Sequence, residues 1–338
     1  MFPFRNLGNI GWVGHVMRSP VSRDQPEVRL DTTPAIVAIL ATLAASALPA
    51  VAQDAEDVSK VELIAEAAEV HPGQTVLLGL RFELADHWHI YWDGRNDTGF
   101  APMVDWAVPE GVSVGPMLWP APQRYVSPGN ILDHVYEGSP TILVPVTISP
   151  DAAAGTSLAI SGEVEWLVCN DICLPGFGPV STELAVAAPQ GDAGEEQGRL
   201  STNSDLGKAA AKLPEPITEQ TAPEELSLHW SDEAVSVRFA GASAMAFYPA
   251  MASASLVSTL DDGQVEGDTL MLRLAPAERD LSTADERRLV GVLEVRRGDG
   301  PASWYQIDFG PDGLKSPENA RILTRVRQRV GQSSARGG

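Results

Sequence analysis

From Thr75 to Leu84 the apolar side chains fall on every second residue: Val76, Leu78, Leu80, Phe82 and Leu84. A period of two is the signature of a strand with one buried face. The pattern returns between Ser157 and Val168, with Leu158, Ile160, Val164, Trp166 and Val168 on one face and Glu163 and Glu165 on the other. It appears again from Val180 to Val186. Shorter pieces at Lys60–Val70, Val104–Trp106, Val112–Val114 and Thr141–Ile148 are separated by turn formers such as His71-Pro72-Gly73 and Pro109-Glu110-Gly111. Pro145 inside the last piece argues for an edge strand or a bulge. Many short strands without a helical period predict an all-β sandwich.

Past Ala188 the composition turns to Gly, Glu, Gln, Ser and Asn, with one short helix expected at Asp205–Leu213. A second β-rich block follows, with strands at Leu226–Phe239, Val265–Leu274, Leu289–Arg296 and Trp304–Phe309. Beyond Leu314, Ile322, Val326 and Val330 recur at helical spacing among Arg321, Arg325, Arg327 and Arg329. That pattern predicts a solvated amphipathic helix, or one that meets an acidic surface. The expected division is 1–52 as N-terminal extension and signal, 53–188 as the first β-sandwich, 189–215 as linker, 216–312 as a second β-rich domain and 313–338 as a basic tail.

Pro34–Ala52 is an apolar run that ends in the small-x-small site Ala50-Val51-Ala52, with Arg18, Arg23 and Arg29 upstream. This is the layout of a secretory signal peptide. A membrane anchor fits less well, because the run is Ala-rich and near the minimum for a span. Met17 is an alternative start that would leave residues 1–16 outside the signal. The whole chain carries a charge of −21, which makes nucleic acid an unsuitable partner.

Cys169 and Cys173 are the only cysteines in 338 residues. Cys169 continues a strand whose core-facing residues are even-numbered, so it should point away from the core. On a straight strand, residues four apart lie about 13 Å apart, too far to bridge. A reversal at Asn170-Asp171-Ile172 brings the Cα atoms to about 5–6 Å, the distance a disulfide needs. So short a loop contributes roughly 2 kcal/mol, at the low end for a disulfide. No Lys or Arg lies between Val164 and Val186, while Glu163, Glu165 and Asp171 do lie close in sequence. Anionic neighbours disfavour a thiolate, which suits an exchange that waits for a docked partner. The residues alone leave three readings open: a redox pair, a local staple, or part of a metal site.

His87 and His89 flank Trp88 and would share one face of a strand, where copper is the first candidate metal. Asp133 and His134 lie in a predicted loop from Ser127 that could fold over the cysteines. Trp88, Trp92, Trp106, Trp119 and Trp166 read as packing residues.

The stretches HPGQTVLLGLRFEL, HWHIYWDGRNDTGFAP, YEGSPTILVPVTI and VEWLVCNDICLPG, with the Trp119-Pro120 segment, resemble the periplasmic N-terminal domain of the thiol:disulfide interchange protein DsbD family. The similarity is greatest to its ScsB-like (suppressor of copper sensitivity) branch. AFYP at Ala246–Pro249 and the two following strands resemble that branch's second β domain. The resemblance implies two immunoglobulin-like sandwiches in the periplasm, with Cys169 and Cys173 as a reversible redox pair and no cofactor. It implies a cap over the pair at Pro128–Val135, in which Ile131 and Leu132 cover and Asp133 and His134 accompany them. Asp171, Tyr136 and Glu137 are expected modulators. The implied partners are a membrane-embedded thiol carrier and exported thioredoxin-fold proteins: disulfide isomerases, cytochrome c maturation thioredoxins or peroxiredoxins. The family's membrane and thioredoxin domains do not follow within these residues, so the carrier is expected on a separate chain, unless the chain is a truncated product. The alternative from another class is a non-catalytic scaffold with an inert staple, handling copper through His87 and His89.

Overall fold

The alternating runs become the strands of a β-sandwich in a computed structural model that describes residues 54–189, 199–276 and 287–330. The signal-peptide reading of residues 34–52 lies outside the described residues. After a single helical turn, α1 (Ala55–Val58), the chain forms β1 (Ser59–Ala65), β2 (Glu69–Val70), β3 (Thr75–Leu84), β4 (His89–Tyr91), β5 (Met103–Ala107) and β6 (Val112–Val114). It continues with β7 (Gln123–Ser127), β8 (Ile131–Glu137), β9 (Thr141–Ile148), β10 (Ser157–Cys169) and β11 (Cys173–Val186). One sheet has the order β1-β3-β9-β6, and the facing sheet has the order β2-β11-β10-β4-β8-β7, with β5 also beside β10.

The even-numbered apolar residues face inward as their period requires. Leu78, Leu80 and Phe82 from β3 and Ile160, Val164, Trp166 and Val168 from β10 share one buried core with Trp88 and Trp92. Trp106 and Trp119 pack at its margin. Two local expectations change. Pro145 lies in a strand paired on both sides, not at a sheet edge, and its carbonyl accepts from Gly115 N just past the end of β6. The expected loop at Ser127–His134 shrinks to a tight turn at Pro128-Gly129-Asn130, where Gly129 and Asn130 both take positive φ, and Ile131 already begins β8.

The second block contains β12 (Glu215–Pro216), β13 (Leu226–Trp230), β14 (Ala234–Phe239), β15 (Ala244–Pro249), β16 (Gln264–Val265), β17 (Thr269–Arg273), β18 (Leu289–Arg296), β19 (Ser303–Gly310) and β20 (Gly313–Leu314). They form a β12-β19-β18-β15-β16 sheet, with β20 beside β19, and a β13-β14-β17 sheet. Phe239, Phe247, Leu293 and Ile307 are buried between them. Ala246, Tyr248 and Val292 instead belong to the core of the first sandwich, together with Trp92 and Tyr136. The two blocks therefore share buried surface.

The segment between the blocks carries α2 (Asp205–Ala211), capped at its start by Ser204, whose hydroxyl accepts from Gly207 N. The tail carries α4 (Ala320–Arg329), the fourth helix after α3 (Thr259–Asp262). Leu206, Ala209, Ala210 and Leu213 join Leu323, Val326 and Val330 on Leu77, Leu118 and Leu143 of the first sandwich. The tail helix is thus neither free in solvent nor presenting its apolar face outward. Burial of that face on the outer side of the β3–β9 sheet is what orders it. Arg327 donates to Leu213 O, and Arg329 pairs with Glu66. No helix among the described residues is long and apolar enough to cross a membrane.

Candidate redox site

β10 and β11 form one long hairpin whose register runs from Ser157↔Ala185 to Cys169↔Cys173. The two cysteines are therefore the last facing pair before the turn, where Asn170 N donates to Ile172 O. Facing positions in an antiparallel pair bring side chains to the same side. The Cα atoms are 4.1 Å apart and the sulfurs are bonded at 2.07 Å. The turn argued from the spacing is what makes this bond reachable.

Cys169 does point to the outer face of its sheet, as its parity demands, yet it is only 1% exposed. A cover supplies the burial. Tyr91 and Val135 are buried against Cys169, with Tyr125 and Leu167 packed around them. Cys173 is exposed. The pair is thus asymmetric: one sulfur lies under a lid of side chains and its partner faces solvent, with exposed Ile172 beside it.

A string of polar contacts ends at the exposed cysteine. Tyr91 Oη lies 3.8 Å from Cys173 Sγ and 3.1 Å from Thr98 Oγ1. Thr98 Oγ1 donates to Asp133 Oδ2 at 2.6 Å, and Asp133 Oδ1 accepts from Asp97 N and Thr98 N. A threonine hydroxyl has one hydrogen. That hydrogen is committed to Asp133, so the tyrosine must donate to Thr98. The disulfide sulfur of Cys173 carries no hydrogen, so toward it too the Tyr91 hydroxyl is the only donor. The Tyr91 hydroxyl is therefore the polar group set beside Cys173 Sγ, and Thr98 and Asp133 hold it there. Burial pushes the Tyr91 phenol up from its ordinary value, so it keeps its proton.

The expected site residues divide. Asp133 is in the string, and His134 and Leu132 are not. By strand alternation Leu132 and His134 share the face of Arg124, opposite to that of Tyr125 and Val135. Leu132 therefore turns away from the cysteines, and the covering aliphatic is Val135. Ile131 pairs with Ser127 at the hairpin end and is half-buried. Tyr136 belongs to the core face, where its hydroxyl donates to Pro120 O at 2.5 Å. It is buried and does not face the disulfide. Glu137 pairs with His89, which itself pairs with Cys169, so this carboxylate lies along the row of the disulfide. Asp171 is exposed at the turn.

The histidine pair does not converge. His87 has φ of 68° in the turn before β4 and is exposed, whereas His89 is 2% exposed. A left-handed residue cannot continue a strand, so the two rings do not share a face. The His89 ring packs 5.4 Å from Tyr91 and 4.6 Å from Tyr125, and burial lowers its basicity. Groups of three or more residues able to hold a metal are absent among the described residues.

The residues that sequence reasoning missed are Tyr91, Thr98 and Tyr125, while Val135 lay at the end of the expected cap segment without being named as a covering residue. Only Tyr91 carried a signal, since its odd number places it on the outer face with Cys169 once β4 is known to flank β10.

Residues 60–185 match the family model described as thiol:disulfide interchange protein DsbD, N-terminal. Among solved structures, the N-terminal periplasmic domain of ScsB from Proteus mirabilis is similar at 16% identity, with a TM-score of 0.44, covering 77% of this chain and 96% of that one. The N-terminal domain of DsbD from Neisseria meningitidis, in the reduced form, is 15% identical with a TM-score of 0.20, covering 38% of this chain and 86% of that one. No curated protein matches the chain.

Proposed function

We propose, from residues 60–185 as a DsbD N-terminal-like domain, that this chain relays reducing equivalents by thiol–disulfide exchange through Cys169 and Cys173. The observation that carries the reading is the asymmetry of the pair, one sulfur exposed and one shielded. In the reducing direction a thiolate of a membrane-embedded dithiol carrier attacks Cys173 Sγ. The Cys169–Cys173 bond breaks, Cys169 leaves as thiolate, and the carrier's second thiol resolves the mixed disulfide. In the delivering direction Cys173 thiolate attacks the disulfide of an exported thioredoxin-fold protein. Cys169 then attacks Cys173 Sγ, re-forming the internal disulfide and releasing the partner as dithiol. Two electrons and two protons pass in each cycle. The acidic residues near the pair in the sequence disfavour a thiolate, so exchange depends on the surroundings a docked partner provides. We assign the work to the periplasm, in keeping with the family.

A redox titration tests this. Equilibrated against glutathione, the pair should show a reduction potential above about −300 mV, in the range where exchange partners can drive it. A pair that stays oxidised throughout that range is a staple.

A further inference from the structure

The hairpin that covers Cys169 has two faces, and the second is occupied. In β7 and β8, Tyr125 and Val135 face the cysteine, while Arg124 and its register partner His134 face the opposite way. That opposite side meets the second β block. Arg124 reaches the carbonyls of Thr259 and Leu260 at the start of α3, the closest contact being 3.1 Å. The His134 ring lies 6.0 Å from Trp92 and 5.2 Å from Tyr248 of β15, and Tyr248 Oη donates to Glu294 at 2.7 Å. Ahead of the string that ends at Cys173, Arg95 is bound to the same block. Its amide donates to Pro249 O, and its guanidinium reaches Ser255 Oγ and the carbonyls of Ser253 and Met251. Gly94 beside it passes so close to Pro249 O that a Cβ would stand 2.8 Å away.

We propose that the second β block is the backing of the redox site, with Arg95 and Arg124 as positioning residues that press the cover onto Cys169. The segment that follows Tyr91, 92–98, and the β7–β8 hairpin both reach the block through guanidinium-to-carbonyl bonds. Charge-assisted bonds of this kind are the strong ones. A strand held from behind by Arg124 cannot lift Tyr125 from the cysteine without breaking them. The shielding of Cys169 is then a property of the two blocks together. The inference gives the second block a role in the exchange proposed above, on which it rests.

The test uses the full chain with Cys173→Ser, so that Cys169 is the only thiol, and measures its alkylation by iodoacetamide under native conditions. Arg95→Ala with Arg124→Ala should raise the rate by about tenfold or more, since loss of charge-assisted bonds shifts local opening on that scale. Arg238→Ala removes a guanidinium from the same block, where it pairs with Asp268 on the surface, and should leave the rate unchanged. An unchanged rate in the folded double variant overturns the proposal, as does an equal rise in Arg238→Ala. If the double variant fails to fold, Arg124→Gln alone carries the test with the same two outcomes. Alkylation needs no redox partner. The backing role can therefore fail while exchange stands, and exchange can fail while the backing role stands.

Discussion

Cys169→Ala should turn the protein into a trap, and Cys173→Ala should leave it nearly inert. The two cysteines are chemically equivalent as free thiols but differ in access, with Cys169 at 1% exposure and Cys173 open to solvent. Reactivity follows thiolate character and exposure together. With Cys169 replaced, the exposed sulfur can still enter a mixed disulfide, but the resolving thiol is gone. Covalent adducts with thioredoxin-fold proteins should then accumulate, visible on non-reducing gels. With Cys173 replaced, the remaining thiol lies beneath Tyr91, Tyr125 and Val135. Adduct formation should fall by about a hundredfold, the scale on which loss of access suppresses attack. Equal trapping by both variants would contradict the assigned asymmetry. Turnover between a dithiol donor and a disulfide acceptor should be lost in both.

The second large effect belongs to Trp166, three residues before the buried cysteine on β10. Its indole is 2% exposed, lies 6.0 Å edge-on from Phe82 and donates from Nε1 to Ser59 Oγ at 2.9 Å. Across the hairpin it faces Gly176, where a Cβ would stand 2.2 Å from the ring. The space is therefore full, and glycine is required opposite the indole. Trp166→Ala removes the ring and leaves a cavity that surrounding strands cannot close, at a cost of about 3–5 kcal/mol. Against a total of roughly 5–15 kcal/mol for a typical domain, this is a large fraction. The urea midpoint should fall sharply with the slope of the transition preserved. A change under about 1 kcal/mol would mean that the core does not rest on this residue as described.

Much of this was legible in order along the chain, because a strand's period is local. Val76 to Leu84 and Leu158 to Val168 declared their buried faces directly, and the parity of Cys169 placed it on the outer side. The need for a turn between the cysteines followed from distance alone. The cover was not legible. Whether Leu132 or Val135 lies over the sulfur depends on the register of β8 against β4, and a slip of one residue exchanges the two faces. The strand reading of His87 failed because a left-handed turn residue leaves no mark on hydrophobic periodicity. Nor could periodicity reveal that Tyr248 and Val292 fill the core of the first sandwich, or that α2 and α4 pack on Leu77 and Leu143. Those contacts join distant segments, and only the assembled sheets bring them together. The acidic surroundings of the pair were readable from composition, while the Tyr91 hydroxyl beside Cys173 Sγ required the geometry of Thr98 and Asp133.

Electron delivery itself is the most direct test. The prereduced chain is mixed with an oxidised thioredoxin-fold protein, quenched with a thiol-blocking maleimide at intervals, and the thiols of each protein are counted. The account predicts that the Cys169–Cys173 disulfide forms in step with the partner's dithiol, one for one, through a transient adduct held by Cys173. Persistence of both thiols beside an intact partner disulfide, across partners of this fold, would contradict it.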